Sequence, residues 1–241
     1  EKFVSHNSIH LYHCRRNLHK PSRCRKLIME PLNIDTLKIN EIFYSIQGES
    51  TKAGLPCIFV RLTYCNIRCV YCDTEYAFYE GVDRTIDDIV DEVKTFDCKL
   101  VEITGGEPLV QENVHILMKS LCDMGFDVMI ETGGSLPIEN IDKRVKIIMD
   151  LKTPYSKMEK KNRYENIRHL KPNDEVKFVI GSREDYDWAK ELLKKYDLLN
   201  KVEQVLLSPV FDKVENLELA EWILKDKLNV RFQLQMHKYI W

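Results

Sequence analysis

Residues 100–134 read LVEITGGEPLVQENVHILMKSLCDMGFDVMIETGG, and they contain a strand, a helix and a second strand in that order. Leu100–Thr104 and Val128–Thr132 are short apolar runs of the kind that form buried strands. The helix between them ends at Gly125 and has an apolar stripe at helical spacing. That stripe consists of Val114, Leu117, Met118 and Leu121. Such a unit predicts two parallel strands joined by a right-handed crossover.

The same alternation continues in both directions and predicts an α/β protein with a largely parallel sheet. Further strands are predicted at Cys57–Leu62, Val145–Leu151, Val176–Ile180, Val202–Leu207 and Val230–Leu234. Further helices are predicted after Thr85, around Tyr186–Tyr196 and around Val214–Leu224. The polar and irregular segment Pro154–Asp174 predicts a flexible loop.

Composition excludes several classes of protein. The chain has 241 residues with 36 Lys and Arg against 38 Asp and Glu, so its formal charge is −2. No apolar run approaches the roughly 18 residues of a membrane span. The near-neutral charge argues against nucleic acid as a partner. We therefore expect an ordinary globular protein that binds neither membranes nor nucleic acid.

The first 28 residues differ from the remainder. They hold seven basic residues and four histidines but only one acidic residue, Glu1. We interpret residues 1–28 as a disordered or non-native extension, and residues 29–241 as one domain that begins near Met29. An alternative is a metal-binding tract, since short His- and Cys-rich segments can bind metals. Its ligands would be His13, Cys14, His19 and Cys24.

Polar and glycine-rich segments follow the predicted strands at their carboxyl ends. These segments are Cys65–Cys72, Thr104–Pro108, Glu131–Gly134, Asp150–Lys152 and Ser208–Pro209. The carboxyl ends of the strands form the face on which α/β barrels build their sites. The pattern therefore predicts one composite site.

Three of the eight cysteines, Cys65, Cys69 and Cys72, lie within eight residues. A structural zinc site needs four protein ligands. Cys57 and Cys122 occupy apolar positions, where a free cysteine acts as a small hydrophobic residue. Three thiolates without a fourth favour a 4Fe-4S cluster with one open iron, whereas zinc and inert thiols stay open as alternatives.

The spacing Cys65-x-x-x-Cys69-x-x-Cys72, together with Gly105-Gly106-Glu107-Pro108, resembles the radical S-adenosylmethionine superfamily. Within it, the chain resembles the 7-carboxy-7-deazaguanine synthase family. The segments that carry this closer resemblance are Ile46–Glu49, Phe59–Arg61, Cys72–Thr74 and His237–Tyr239. The resemblance implies a partial (β/α)6-type TIM-like barrel as the fold.

The resemblance also implies an activity. It is the lyase reaction that converts 6-carboxy-5,6,7,8-tetrahydropterin to 7-carboxy-7-deazaguanine with loss of ammonia, in the biosynthesis of queuosine or archaeosine of tRNA. The implied cofactors are a 4Fe-4S cluster, S-adenosyl-L-methionine and Mg²⁺. A reducing electron donor of the flavodoxin or ferredoxin type, a homodimer and a cytoplasmic location are implied as well.

Roles for individual residues follow from the same resemblance. The cluster ligands are Cys65, Cys69 and Cys72, and the magnesium ligand is Thr74. The S-adenosylmethionine contacts are Tyr71, Asp73, Gly105, Gly106, Glu107, Glu131, Asp150, Leu151, Lys152, Ser208, Pro209, Val210 and Phe211. The substrate contacts are Ile46, Gln47, Gly48, Glu49, Arg61, Thr104 and His237. Arg61 suits bidentate capture of a carboxylate, and Glu107 can accept from the cofactor's ammonium group.

Several alternatives stay open at this point. Arg61 and Glu49 can be solvated surface charges, and Thr74 can be a turn residue. Glu131 either contacts the cofactor ribose or caps a following helix. A radical-generating activase for a glycyl-radical enzyme shares the cysteine motif, and a zinc-binding module shares the thiols.

The chain departs from the family pattern in two further places. Ser50 stands where the family has glycine, which predicts an altered loop because serine tolerates positive φ less well. The chain also ends at Trp241, a few residues before its relatives, so a substrate contact made by that tail would be missing or supplied otherwise.

Overall fold

The computed structural model describes residues 35–240. The extension, its suggested metal tract and a domain start near Met29 lie outside these residues and stay predictions. The strands are β1 Thr36–Ile46, β2 Pro56–Leu62, β3 Val82–Thr85, β4 Leu100–Gly105, β5 Asp127–Thr132, β6 Lys146–Asp150, β7 Glu175–Ile180, β8 Gln204–Pro209 and β9 Arg231–Phe232. The α-helices are α1 Ile86–Lys94, α2 Val114–Asp123, α3 Arg183–Lys195, α4 Leu198–Lys201, α5 Asn216–Asp226 and α6 His237–Ile240.

The nine strands form one sheet in the order β3-β1-β2-β4-β5-β6-β7-β8-β9. From β2 through β9 the neighbouring strands are parallel, whereas β1 pairs antiparallel with both β2 and β3. The first and last strands do not pair with each other, so the barrel is open. This arrangement confirms the predicted α/β class and partial TIM-like barrel.

Most of the apolar core lies between the sheet and its helices, where α1 is typical of the packing. The side chain of Thr85 accepts a hydrogen bond from the backbone N–H of Asp88 and so caps the first turn. Ile86, Ile89 and Val93 then project from one face and are buried. Helix formation and burial of that face are therefore coupled.

A second, smaller apolar cluster lies apart from this main core. Its buried members are Cys57, Phe59, Leu100, Met129 and Ile148, which come from four neighbouring parallel strands. Among the described residues, no helix is long and apolar enough to cross a membrane.

The structure departs from the predicted elements in three ways. Strands β1 and β3 were not predicted, and β9 is only two residues long. Strict strand–helix alternation fails twice, because no α-helix joins β5 to β6 or β6 to β7. The first of these connections, residues 133–145, contains two glycines and a proline, which interrupt helices.

The predicted flexible loop Pro154–Asp174 is irregular but anchored. It forms three 3₁₀ turns, at Pro154–Ser156, Glu159–Lys161 and Tyr164–His169. Asn166 is fully buried, and its amide donates to the carbonyl oxygens of Gly134 and Leu136. Buried hydrogen bonds of this kind fix a segment that lacks regular structure, so the prediction of flexibility is wrong here.

Candidate functional site

One cavity of about 590 Å³ opens at the carboxyl ends of the parallel strands. It brings together most of the residues singled out in the sequence. The predicted site residues that line it are Ile46, Gln47, Gly48, Glu49, Arg61, Cys65, Cys69, Tyr71, Cys72, Asp73, Thr74, Thr104, Gly105, Gly106, Glu131, Asp150, Lys152, Val210, Phe211 and His237. The predicted residues outside the lining are Glu107, Leu151, Ser208 and Pro209. Sequence-distant segments thus converge on a single site.

The three clustered thiols, Cys65, Cys69 and Cys72, are free, partly exposed and part of the cavity wall. Their loop is held by a hydrogen bond from the Cys72 N–H to the Cys69 carbonyl and by another from Val70 to Ser156. Burial raises the pKa of Cys69 to about 11 and that of Cys65 in the same direction. These two thiols are therefore protonated at neutral pH until a cationic centre replaces their protons.

The zinc alternative gains no support from this geometry. Within residues 35–240, no group of three or more His, Cys, Asp or Glu side chains is placed to share a single metal ion.

The two glycines at the end of β4 are required by the backbone of β2 and of the segment that follows it. Gly105 has φ of 144°, and a Cβ there would lie 2.1 Å from the Leu62 carbonyl oxygen. A Cβ on Gly106 would lie 2.2 Å from the Tyr64 carbonyl oxygen. Any larger residue would push the cysteine loop away from β4. The two glycines thus allow two protein segments to approach closely, and their assignment as S-adenosylmethionine contacts stays a prediction.

Glu107 has a different environment from the one predicted. It is fully buried, and its carboxylate accepts hydrogen bonds from the Thr132 hydroxyl at 2.8 Å and the Gly133 N–H at 2.8 Å. The Leu109 N–H donates to it as well, at 3.2 Å. The side chain therefore ties the segment after β4 to the end of β5, and its assignment as the acceptor for a cofactor ammonium stays a prediction.

The floor of the cavity contains an ion network centred on Lys177, which was not predicted. Its ammonium lies 2.7 Å from Glu49, is hydrogen-bonded to Glu131 and lies 3.8 Å from Asp150. Asp150 also pairs with Lys152 at 2.8 Å. Lys177 is the one charged residue in the predicted strand Val176–Ile180, and this was the available signal in the sequence.

The network sets the charge of its members. Burial alone disfavours the ammonium of Lys177, but the carboxylates of Glu131, Glu49 and Asp150 raise its pKa well above the ordinary value. Burial likewise opposes ionisation of Glu49, but Lys177 prevails and lowers the pKa of that carboxyl. Burial prevails at Glu131, whose pKa is raised. The ion pair of Glu131 with Lys177 differs from both roles considered in the sequence, contact with the cofactor ribose and capping of a helix. No α-helix joins β5 to β6, so Glu131 has no helix to cap.

Arg61 is held in place by groups on β1 and the loop after the cysteines. Its Nε donates to Glu41 at 2.7 Å, and its guanidinium lies 5.6 Å from the Phe43 ring and 5.8 Å from the Tyr76 ring. Its side chain is only 13% exposed, which excludes the solvated alternative. Its two Nη groups make no hydrogen bond to the described residues, and the side chain lines the cavity.

The segment Gln47–Ser50 is fastened from several sides. The Gln47 amide donates to Glu102, and its oxygen accepts from the Glu49 N–H. Ser50 does adopt a positive φ of 66°. The side chain of Gln233 compensates by bonding both the N–H and the carbonyl of Ser50, at 3.1 and 2.9 Å. Ser50 therefore adopts the positive φ that glycine favours, and its hydrogen bonds with Gln233 stabilise this conformation.

The C-terminal residues close one side of the cavity. The Met236 N–H donates to the Gly48 carbonyl, and a Cβ on Gly48 would lie 2.7 Å from His237 Nδ1. Lys238 pairs with Asp73 at 2.8 Å, and His237 Nε2 lies 3.7 Å from the same carboxylate. Although burial opposes it, these two partners hold the pKa of Asp73 well below its usual range.

Thr74 and Tyr71 flank the thiols. The Thr74 hydroxyl lies 3.7 Å from the Cys72 sulfur. The Tyr71 ring stacks on Tyr155 with 6.4 Å between centroids, and its buried hydroxyl has no hydrogen-bond partner among the described residues. The same holds for Asp150 Oδ1 and the Ser208 hydroxyl. Buried polar atoms are normally paired, and Tyr71 and Asp150 line the cavity, so their two unpaired oxygens mark places where a polar ligand would be accommodated.

Comparison with known proteins places this geometry in a family. Residues 60–221 match the Radical SAM superfamily. The chain is 48% identical over 209 residues to a 7-carboxy-7-deazaguanine synthase of Chlorobaculum tepidum, covering 85% of this chain and 94% of that protein. It is 46% identical over 219 residues to the enzyme of the same name from Koribacter versatilis, covering 85% and 97%.

Solved structures agree on the fold. QueE from Escherichia coli matches with a TM-score of 0.69 at 23% identity, covering 83% of this chain and 93% of that one. SuiB from Streptococcus suis, bound to S-adenosylmethionine, matches with a TM-score of 0.53 at 17% identity, covering 71% and 48%.

Proposed function

The chain belongs to the 7-carboxy-7-deazaguanine synthase family of the radical S-adenosylmethionine superfamily, and on that premise we propose that it converts 6-carboxy-5,6,7,8-tetrahydropterin to 7-carboxy-7-deazaguanine and ammonia. The reaction is redox-neutral, because the product and ammonia together contain all atoms of the substrate. The observation that carries the proposal is the single cavity, which joins three free thiols to a floor of fixed charges.

The residues at the thiol end fit the cofactors that the superfamily implies. Cys65, Cys69 and Cys72 would hold the 4Fe-4S cluster, and the unpaired buried oxygen of Asp150 can accept from a polar cofactor group. When bound, the cluster and S-adenosylmethionine supply the radical chemistry. Lys152 pairs with Asp150 at 2.8 Å, and both side chains line the cavity.

The other end suits a flat, carboxylated heterocycle. Arg61 offers two unoccupied Nη groups on a guanidinium that is held by Glu41 and two aromatic rings. Such a fork binds a carboxylate in two-point fashion. Glu49 and Glu131 can accept hydrogen bonds from the ring's amino and N–H edge while Lys177 keeps them in place. Thr104 and His237 complete the proposed substrate contacts.

The proposal also includes a magnesium ion, an electron donor, a homodimer and a cytoplasmic location. Thr74 lines the cavity beside Cys72 and would contribute one oxygen to Mg²⁺, whose other ligands are waters and substrate oxygens. A flavodoxin- or ferredoxin-type protein would reduce the cluster, and the chain would act in the cytoplasm as a homodimer. Thiolate-ligated clusters suit a reducing compartment. The product would serve the synthesis of queuosine or archaeosine.

The deciding experiment is anaerobic reconstitution with iron and sulfide, followed by incubation with S-adenosylmethionine, a chemical reductant and the carboxylated tetrahydropterin. We expect a visible cluster spectrum and a product lighter than the substrate by one ammonia. Cleavage of S-adenosylmethionine without conversion of the pterin would indicate an activase. Zinc without a cluster spectrum would indicate a structural module.

A further inference from the structure

Glu102 is a buried acidic residue that none of the assigned roles uses. It lies on β4 in the sequence LVEITG, where the other residues from 100 to 104 are also buried. Only 4% of Glu102 is exposed, and it lines the cavity together with Thr104, two positions further along the strand. A charged residue in such a strand requires either a partner or a change of protonation.

The hydrogen bonds of Glu102 occupy one of its two oxygens. Gln47 Nε2 donates to Oε2, and no other hydrogen bond from the described residues reaches the carboxyl group. Oε1 makes no hydrogen bond to the described residues, and the side chain of Glu102 lines the cavity. One oxygen is thus bound by the protein, while the other has no protein partner and is available to a ligand in the cavity.

Every cation near this carboxyl group is paired with another acid. Lys177 on β7 is shared by Glu49, Glu131 and Asp150. On β2, Phe59 lies beside Glu102, and Arg61 two positions further on pairs with Glu41. Lys146 on β6 and Lys152, two residues beyond the end of β6, pair with other carboxylates. No ion pair involves Glu102 within residues 35–240.

The charges that do face Glu102 disfavour its ionisation. Burial raises the pKa of Glu102 to about 8, and the neighbouring carboxylates of Glu131 on β5 and Glu49 after β1 act in the same direction. Gln47 and Lys177 oppose this shift without cancelling it. Lys177 already pairs with Glu49 and Glu131, so an ionised Glu102 would add a further negative charge beside that one ammonium.

We propose that Glu102 binds the substrate as a neutral carboxylic acid, whose Oε2 accepts from Gln47 and whose Oε1 hydroxyl donates to the ring carbonyl of the pterin. The inference rests on the proposed function for the identity of the ring. Ionised Glu49 only accepts hydrogen bonds. A pterin ring presents acceptors as well as donors, and Glu102 supplies the missing donor. No proton is transferred in this role.

Binding of the carboxylated tetrahydropterin, measured by anaerobic calorimetry, tests the proposal through two variants. Glu102→Gln keeps a neutral donor and an acceptor, so its Kd should stay within about twofold of wild type near pH 7. Glu102→Ala loses the donor, and its Kd should rise about tenfold. Glu175→Gln is the matched control, because Glu175 is equally buried but does not line the cavity.

The pH dependence of binding separates neutral from ionised Glu102. The wild-type Kd should rise as pH passes about 8, by up to about tenfold per pH unit, because ionisation removes the donor and adds a repelling charge. Glu102→Gln should not show this rise. Titration of the pterin itself affects both proteins equally, so it cancels when their Kd values are compared. The proposal would be overturned if Kd rose equally in Glu102→Gln and Glu102→Ala. It would also be overturned if Kd in Glu102→Ala were the same as in wild type.

Infrared spectroscopy gives a readout that does not depend on the substrate. The ligand-free wild type at pH 7 should show a protonated carboxylic acid band that is absent from Glu102→Gln and fades above about pH 8. Absence of that band contradicts the neutral acid even if Glu102→Ala fails to fold. If the band is present but wild type neither binds nor converts the pterin, the proposed function fails and the protonation of Glu102 stands.

Discussion

The two ends of the cavity are built in opposite ways. The thiol end comes from one contiguous loop, Cys65–Cys72, within eight residues of sequence. The charged floor is assembled from several strands, and the pair Lys177–Glu49 joins residues 128 positions apart. A short loop can present three ligands by its own spacing, whereas the floor exists only when the sheet register is correct. The two ends should therefore respond differently to mutation.

The largest expected effect is at the thiol end. Cys69→Ala should abolish cluster binding and turnover, because a three-thiolate site has no spare ligand. Iron content, the visible spectrum and product formation are the measurements.

Cys98→Ala is the matched control, since Cys98 is a free thiol that donates only to backbone carbonyls and does not line the cavity. It should keep both cluster and activity. A fully loaded and active Cys69→Ala protein would refute the assignment of the ligands.

The next largest effect should be a loss of folding stability at the floor. Lys177→Met leaves the carboxylates of Glu49, Glu131 and Asp150 without their shared cation, and it should lower the free energy of unfolding by about 3–5 kcal/mol. Denaturant unfolding of the metal-free protein measures this. Lys52→Met, which removes an exposed ion pair with Asp127, should cost less than about 1 kcal/mol.

The sign of the pH dependence sharpens this test. Lys177 has a raised pKa. Its contribution to the free energy of unfolding is therefore complete at pH values below its unfolded-state pKa, and it is lost as pH rises through its folded-state pKa. In Lys177→Met, protonation removes the negative charge of the unpaired carboxylates. The loss of unfolding free energy relative to wild type should therefore shrink as pH falls toward about 5. A deficit that does not change with pH would argue against the network as its source.

Arg61 lies at the proposed substrate end of the cavity, and its replacement should have an intermediate effect. Arg61→Ala should weaken binding of the carboxylated pterin by about 1.5–3 kcal/mol, through loss of a charged hydrogen bond. Cluster content should not change. Calorimetry with the carboxylated and decarboxylated pterins is the measurement.

The variant should discriminate far less than wild type between those two ligands. Arg61→Lys, which keeps the charge and loses the fork, should fall between the two proteins. Equal loss of affinity for both ligands would show that Arg61 does not bind the carboxylate.

The smallest expected effect is at Thr74. Thr74→Ala should reduce the stimulation of turnover by magnesium, by roughly less than tenfold, because waters can replace one oxygen ligand. Thr74→Ser retains the hydroxyl and should behave like wild type. Magnesium titrations of the three proteins give the answer, and superimposable curves would remove Thr74 from the metal site.

The sequence by itself determined the features that depend on local spacing. Periodic apolar residues indicated most of the parallel strands and their helices, and the spacing of Cys65, Cys69 and Cys72 indicated the thiol site. The motif Gly105–Pro108 marked the end of β4. Each of these signals lies within a few residues, so neighbours along the chain are also neighbours in space.

Only the tertiary structure decided which charges meet. Glu107 accepts a hydrogen bond from Thr132, and Gln233 stabilises the left-handed backbone of Ser50. Lys177 forms ion pairs with three carboxylates. The antiparallel strand β1 supplies Glu41 to Arg61. These contacts cross strands that are far apart in the chain. Sequence periodicity specifies which side chains are buried, but the register between strands specifies what they are buried against.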